Sequence, residues 1–119
     1  MKLLIAGSRC IKDFDLSLYI PCDVDTIICG GANGIDRLAE EYADQHRFSK
    51  YVFRPHYDLY GKAAPLVRNR QMVDMADAVL IIWDGRSKGT KYTMDYARKS
   101  FTVDISYVQD ETVILYLSK

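Results

Sequence analysis

Residues Thr26–Asp36 read TIICGGANGID. Thr26, Ile27 and Ile28 are a β-branched apolar run that stops at Gly30-Gly31 and Asn33-Gly34, and an amphipathic stretch follows. A buried strand that passes through glycines into a helix delivers backbone amides to the helix N-terminus. Unpaired N–H groups and a partial positive charge there favour phosphate or another anion. Glycine suits the turn because a side chain would block close approach and disfavour positive φ. One such turn is a weak signal. It gains weight from a second glycine-containing turn at Asp84–Thr90, with cations clustered near it.

Outward from this stretch, strand and helix signals alternate. Downstream, Ile35, Leu38, Ala39, Tyr42 and Ala43 recur at helical spacing, with Glu40, Glu41 and Asp44 on the other face and cations at His46-Arg47 where the helix ends. Upstream, Leu3-Leu4-Ile5-Ala6 is a continuous apolar run ending at Gly7-Ser8-Arg9, the pattern of a strand covered on both faces. Between them Phe14–Ile20 reads as a short helix closed by Pro21. Tyr51-Val52-Phe53 is a third strand and His56–Ala64 a loop. Pro65 then suits the first turn of a helix that places Leu66, Asn69, Met72, Val73 and Ala76 on one face. Ala78–Trp83 is the most hydrophobic strand and belongs at the centre. Thr90–Phe101 follows as a helix with Thr90, Met94, Ala97 and Phe101 inward. Val103–Val108 and Thr112–Leu117 are separated by too few residues for a helical crossover, which makes them an antiparallel edge hairpin.

The fold class is therefore α/β: a mostly parallel central sheet with helices on both faces and right-handed crossovers, in one domain over residues 1–119. Ligands of such sheets bind beyond the carboxyl ends of the strands, at the point where strand order reverses. That directs attention to Gly7–Arg9, Gly30–Asp36, Arg54–Ala64 and Asp84–Thr90.

Composition sets bounds. The chain has 119 residues, 49% of them hydrophobic, with 16 basic and 16 acidic side chains and a formal net charge of +0, which disfavours a nucleic-acid binder held mainly by counterion release. No apolar run is long enough to span a membrane, and Gly7, Ser8 and Arg9 interrupt any signal-peptide pattern. Three cysteines without a CxxC pair favour neither a disulfide framework nor a zinc site, so the expected compartment is a reducing cytoplasm.

The placement of cations points to an anion. Arg68 and Arg70 fall early in one helix, Lys88 and Lys91 flank the start of the next, and Arg9 follows the first strand. Cations are disfavoured at helix N-termini by about 0.3–1 kcal/mol each, so several of them there are understandable around a bound anion. Ser87, Gly89 and Thr90 offer hydroxyls and free amides beside a helix start. Asp36 has two readings, a carboxylate matched to the helix dipole or an acceptor for a ribose hydroxyl. Tyr57 and Tyr60 are candidates for stacking on a base. His46 and His56 are not spaced as metal ligands, and Trp83 reads as packing.

Four motifs, Ala6-Gly7-Ser8-Arg9, Cys29–Asp36 (CGGANGID), Tyr57–Asn69 (YDLYGKAAPLVRN) and Gly85–Thr90 (GRSKGT), occur in one order and span about Leu3 to Ala97. In combination they resemble the YspA-like branch (DUF2493) of the SLOG superfamily of Rossmann-like proteins. The resemblance implies a Rossmann-like three-layer sandwich that binds a nucleotide or nucleotide-derived ligand. The implied site is Gly7, Ser8, Arg9, Gly30, Gly31, Ala32, Asn33, Gly34, Asp36, Tyr57, Arg68, Asn69, Gly85, Ser87, Lys88, Gly89 and Thr90. Tyr57 and Pro65 stand where members of the family commonly carry Trp and Gly.

The Lonely Guy phosphoribohydrolases of the same superfamily share an arginine matching Arg68. They also share a glycine–threonine turn matching Gly89-Thr90, followed three residues later by a catalytic glutamate. Here that position is Thr93. Cleavage of an N-glycosidic bond needs a carboxylate, and Asp84 or Asp36 would have to supply it. The expectation is thus a ligand-binding module acting as sensor, carrier or sequestering protein, with a nucleotide N-glycosidase as the alternative. A single-stranded DNA binder, by likeness to the DNA-processing protein A family, comes third. No cofactor or metal is implied except Mg²⁺ arriving with a phosphate ligand. A homodimer or higher oligomer is expected, through the apolar side of the final hairpin and exposed tyrosines.

Overall fold

The apolar runs without alternation become the middle of the sheet. In a computed structural model describing residues Met1–Lys119, β1 (Lys2–Gly7) and β4 (Ala78–Trp83) run parallel side by side, in register from Leu3↔Ala78 to Gly7↔Ile82. β2 (Thr26–Cys29) pairs parallel with β1, and β3 (Ser49–Val52) parallel with β2. On the other side β6 (Thr112–Ser118) pairs antiparallel with β4, and β5 (Thr102–Gln109) closes the row, giving the order β3-β2-β1-β4-β6-β5. The chain moves outward from β1 to β3, then returns to place β4 beside β1. Strand order therefore reverses between β1 and β4.

Period-two geometry sorts the strand residues onto two faces. Leu3, Ile5, Ile27, Leu80 and Ile82 pack on one side with Ile35, Ala39 and Ala43 of α1 (Ile35–Gln45). Leu4, Ala6, Ile28, Val79 and Ile81 pack on the other, against Met72 and Val73 of α3 (Ala64–Met75) and Met94 and Ala97 of α4 (Lys88–Ala97). Each large side chain buried in this way stabilises the fold by about 1.5–3 kcal/mol. The architecture is a Rossmann-like sandwich with helices on both faces of a mostly parallel sheet, as its sequence indicates. No helix is long and apolar enough to cross a membrane.

Three local expectations are corrected. Phe14–Ile20 is not a helix beyond one 3-10 turn at Leu16–Leu18. Asp15 accepts hydrogen bonds from both the backbone N–H and the hydroxyl of Ser17, a local bonding pattern that competes with helix extension, and Pro21 follows closely. His56–Ala64 is not an open loop. It holds a single turn, α2 (Tyr57–Tyr60), and a 3-10 turn at Gly61–Ala63 that runs into α3, with Gly61 at φ 56 between them. Leu66, expected inward, is exposed on the first turns of α3.

The end of α1 uses a device that composition did not reveal. Arg47 takes a left-handed φ of 57, and the Phe48 N–H reaches back to the Ala43 carbonyl at 2.9 Å, closing the helix in a position that glycine usually fills.

Candidate functional site

A cleft of about 580 Å³ lies beyond the carboxyl ends of β1, β2 and β3, walled by the first turns of α3 and α4. Its position is the one that a doubly wound sheet prescribes. A smaller hollow of about 300 Å³, between Phe14–Tyr19 and the hairpin tip at Gln109–Thr112, lies elsewhere and gathers none of the glycine motifs.

Most of the residues picked out in the sequence meet in the larger cleft. Gly7 and Arg9 reach it from β1, Gly30, Gly31, Ala32 and Asp36 from the β2–α1 turn, Tyr57 from α2, Arg68 and Asn69 from α3, and Ser87, Lys88, Gly89 and Thr90 from the start of α4. Four do not line it. The buried Ser8 hydroxyl accepts the Asp84 N–H at 2.9 Å, tying β1 to β4. Gly34, at φ 73, lies against the carbonyls of Ser8 and Arg9, which a Cβ would overlap. Asn33 is exposed, and Gly85 serves the turn after β4 at φ 83. The lining also includes Ala6, Arg54, Pro55, Pro65, Leu66, Met72 and Thr93, which the sequence reading did not name as ligand-binding residues. Arg54 carried the clearest overlooked signal, a cation immediately before Pro55 at the end of a strand.

The two glycine turns are used differently. In the β2–α1 turn two donors are already engaged. The Ile35 N–H faces the Ser8 carbonyl at 3.4 Å, and the Ala32 N–H donates to the Asp36 carboxylate at 3.2 Å. At α4 the Ser87 N–H is taken by Asp84, but Lys88, Gly89 and Thr90 occupy the first turn, where no intrahelical acceptor exists. A Cβ added at Gly89 would meet nothing within 4 Å, so this terminus is open towards the cleft.

Arg68 holds the floor together. Its Nη1 donates to the carbonyls of Gly30 (2.6 Å) and Phe53 (3.1 Å), and its Nε to Asn69 Oδ1 (2.8 Å). Burial draws its guanidinium below the ordinary arginine value while the Asp36 charge opposes the shift. Asp36 is only 8% exposed. Burial pushes its carboxyl above the ordinary value, against the Ala32 N–H and the charge of Arg68. No ion pair joins the two side chains, and Asp36 is the one carboxylate lining the cleft.

Asp84, the other carboxylate considered for catalysis, lies outside the cleft lining. It accepts the N–H groups of Arg86 and Ser87 (both 2.8 Å), the Ser87 hydroxyl and the Cys10 thiol. Desolvation is the largest single influence and raises its carboxyl, but these hydrogen bonds together outweigh it and hold the group well below the usual carboxylate range. Such a carboxylate shapes a turn and is a poor proton donor. Thr93 lines the cleft with its hydroxyl donated to the Gly89 carbonyl at 3.1 Å, so it supplies no acid or base. The remaining cations divide. Lys91 is bound to Asp95 at 2.8 Å and Arg70 is exposed outside the cleft, whereas Lys88, Arg9 and Arg54 line it, Arg54 with its Nη2 4.0 Å from Glu40 and its Nη1 donating to the Gly31 carbonyl at 3.2 Å.

The fold and site define an α/β domain with a cationic cleft at the topological switch. Comparisons with protein-family models, with curated proteins and with solved structures found no match.

Proposed function

We propose that the chain binds a nucleotide or nucleotide-derived small molecule in this cleft, as a sensor, carrier or sequestering module. One observation carries the reading: four cations, Arg9, Arg54, Arg68 and Lys88, line the cleft with a single carboxylate, Asp36, beside the open amides of α4. Free amides at a helix start favour a phosphate, and the cations add charge-assisted contacts. Asp36 is then the acceptor for a sugar hydroxyl or a base N–H, and Tyr57 offers an aromatic face at the rim.

The N-glycosidase alternative rests on Asp36, whose burial favours the protonated form that a general acid needs. Asp84 is spent on its turn and Thr93 on the helix backbone, so the cleft holds one carboxylate where that chemistry commonly uses two. Binding is the stronger reading.

The test is to denature the purified protein, identify any released small molecule by mass spectrometry, and run thermal shifts against nucleoside mono- and diphosphates and ADP-ribose. A ligand selective for the native state raises apparent stability. An intact released nucleotide, or a selective shift lost in Lys88→Glu, supports binding. Free base with ribose phosphate would favour the hydrolase, and an empty protein with no shift would overturn both.

A further inference from the structure

The two edges of the sheet are unlike. β3 is four residues long and carries Lys50, held by Asp44 at 2.9 Å, and a short edge with a lysine is a common guard against strand addition. β5 is eight residues long, and its side chains Ile105, Tyr107 and Val108 are 52%, 47% and 63% exposed. Its outer backbone row has no neighbour in the sheet. The two-residue turn at Asp110-Glu111, with φ of 50 and 68, makes Gln109 and Thr112 a hydrogen-bonded pair. Alternation from that pair leaves the N–H and C=O groups of Val108 and Ser106 pointing outward. The ladder is irregular between Val103 and Ile105, so the regular edge is the stretch Ile105–Val108, and Asp104, the one charge within the strand, lies at that irregularity and accepts a hydrogen bond from the Ser118 hydroxyl of its own hairpin.

We propose that β5 pairs antiparallel with β5 of a second copy of this chain, about a two-fold axis at Ser106, joining the two sheets edge to edge. The charges select this partner and the antiparallel orientation. The turn leading into the strand is basic, at Arg98 and Lys99, with Lys119 5.2 Å from the Phe101 ring, and the turn leaving it is acidic, at Asp110 and Glu111. Antiparallel self-pairing brings each basic start against an acidic end. Centring on Ser106 sets Ile105 opposite the partner's Tyr107 within the regular stretch and directs the Asp110-Glu111 turn towards the partner's basic end. The contact lies on the far side of β6 from β1, β2 and β3, so it leaves the cleft open.

Sedimentation equilibrium of the full chain from low to high micromolar concentration tests this, with two variants whose folding is checked by circular dichroism. Ser106→Pro removes an outward N–H without touching the β5–β6 bonds, and Tyr107→Lys alters only a side chain. A wild-type dimer whose dissociation constant rises about tenfold or more in each variant is expected. Lys99→Glu and Glu111→Lys should each weaken the dimer, and the double exchange should restore it. A monomer throughout the range, a dimer indifferent to both edge substitutions, or an edge that takes up only a foreign extended peptide would overturn the proposal.

Discussion

The Arg68 guanidinium donates through one nitrogen, Nη1, to the carbonyl of Gly30 at 2.6 Å and to that of Phe53 at 3.1 Å. A single side chain of α3 thus ties together the segments that leave β2 and β3. It also aligns a positive charge with the floor of the cleft, so the residue joins fold to site.

Arg68→Ala leaves two carbonyls without this donor in a half-buried place. A loss of about 1–3 kcal/mol of stability is expected from the unmade bonds, read as a lower urea midpoint. Arg68→Lys restores the charge but not the forked geometry, so it should recover ligand affinity more than stability. An unchanged midpoint in both variants would remove Arg68 from its structural role.

Gly34 and Gly89 separate folding from binding. At Gly34 a Cβ would collide with the carbonyls of Ser8 and Arg9 at a φ of 73, so Gly34→Ala should destabilise by about 2–4 kcal/mol. Gly89 lies in α4 with open space beside it, so Gly89→Ala should leave the melting temperature unchanged or raised. Its new methyl group stands at the open helix terminus and should weaken binding of a phosphate-bearing ligand. Calorimetry on both variants checks the contrast.

The two carboxylates give opposite pH signatures. Asp84 is held below the ordinary aspartate value of 3.8, so its contribution is complete above that pH and disappears as the pH falls through the lower folded value. The stability gap between wild type and Asp84→Asn should be constant near neutrality and shrink in strong acid. Asp36 is raised above 3.8, so the folded state retains a proton that the unfolded state has lost. Stability therefore falls as pH rises from 3.8 to the folded value, and the penalty persists above it. Asp36→Asn should be more stable than wild type at neutral pH and equal to it in strong acid, while binding its ligand less well. Denaturation midpoints across pH decide the sign.

Arg47 holds a left-handed φ of 57 at the close of α1. Glycine accepts that conformation freely, so Arg47→Gly should stabilise the protein by about 0.5–1 kcal/mol. Chemical denaturation reads the change directly.

The architecture was legible because its signals are dense and local. The unbroken apolar runs Leu3–Ala6 and Ala78–Trp83 could only be central strands, and the spacing from Ile35 to Ala43 could only be a helix with one buried face. Phe14–Ile20 misled because Asp15 and Ser17 bond to each other, which helical spacing does not register. The cleft was legible as a place but less so as a set of roles. Gly34 and Ser8 lie in motifs that read as a phosphate cradle, yet both are engaged with neighbouring backbone. Which amides are free depends on the approach of Ser8 to α1 across the sheet, a long-range contact that no local pattern contains. Arg54 reads in the sequence only as the start of a carboxyl-end loop, and only the pairing of β3 with β2 brings its side chain to Gly31.

An amide-detected NMR titration of the labelled protein with adenosine 5′-diphosphate and ADP-ribose addresses the cleft most directly. The account expects saturable shifts at Gly31, Ala32, Gly89 and Thr90, with Gly61 and the hairpin tip at Asp110-Glu111 unmoved. Shifts confined to the hollow between Phe14 and Gln109, or none at the highest soluble ligand concentration, would contradict it.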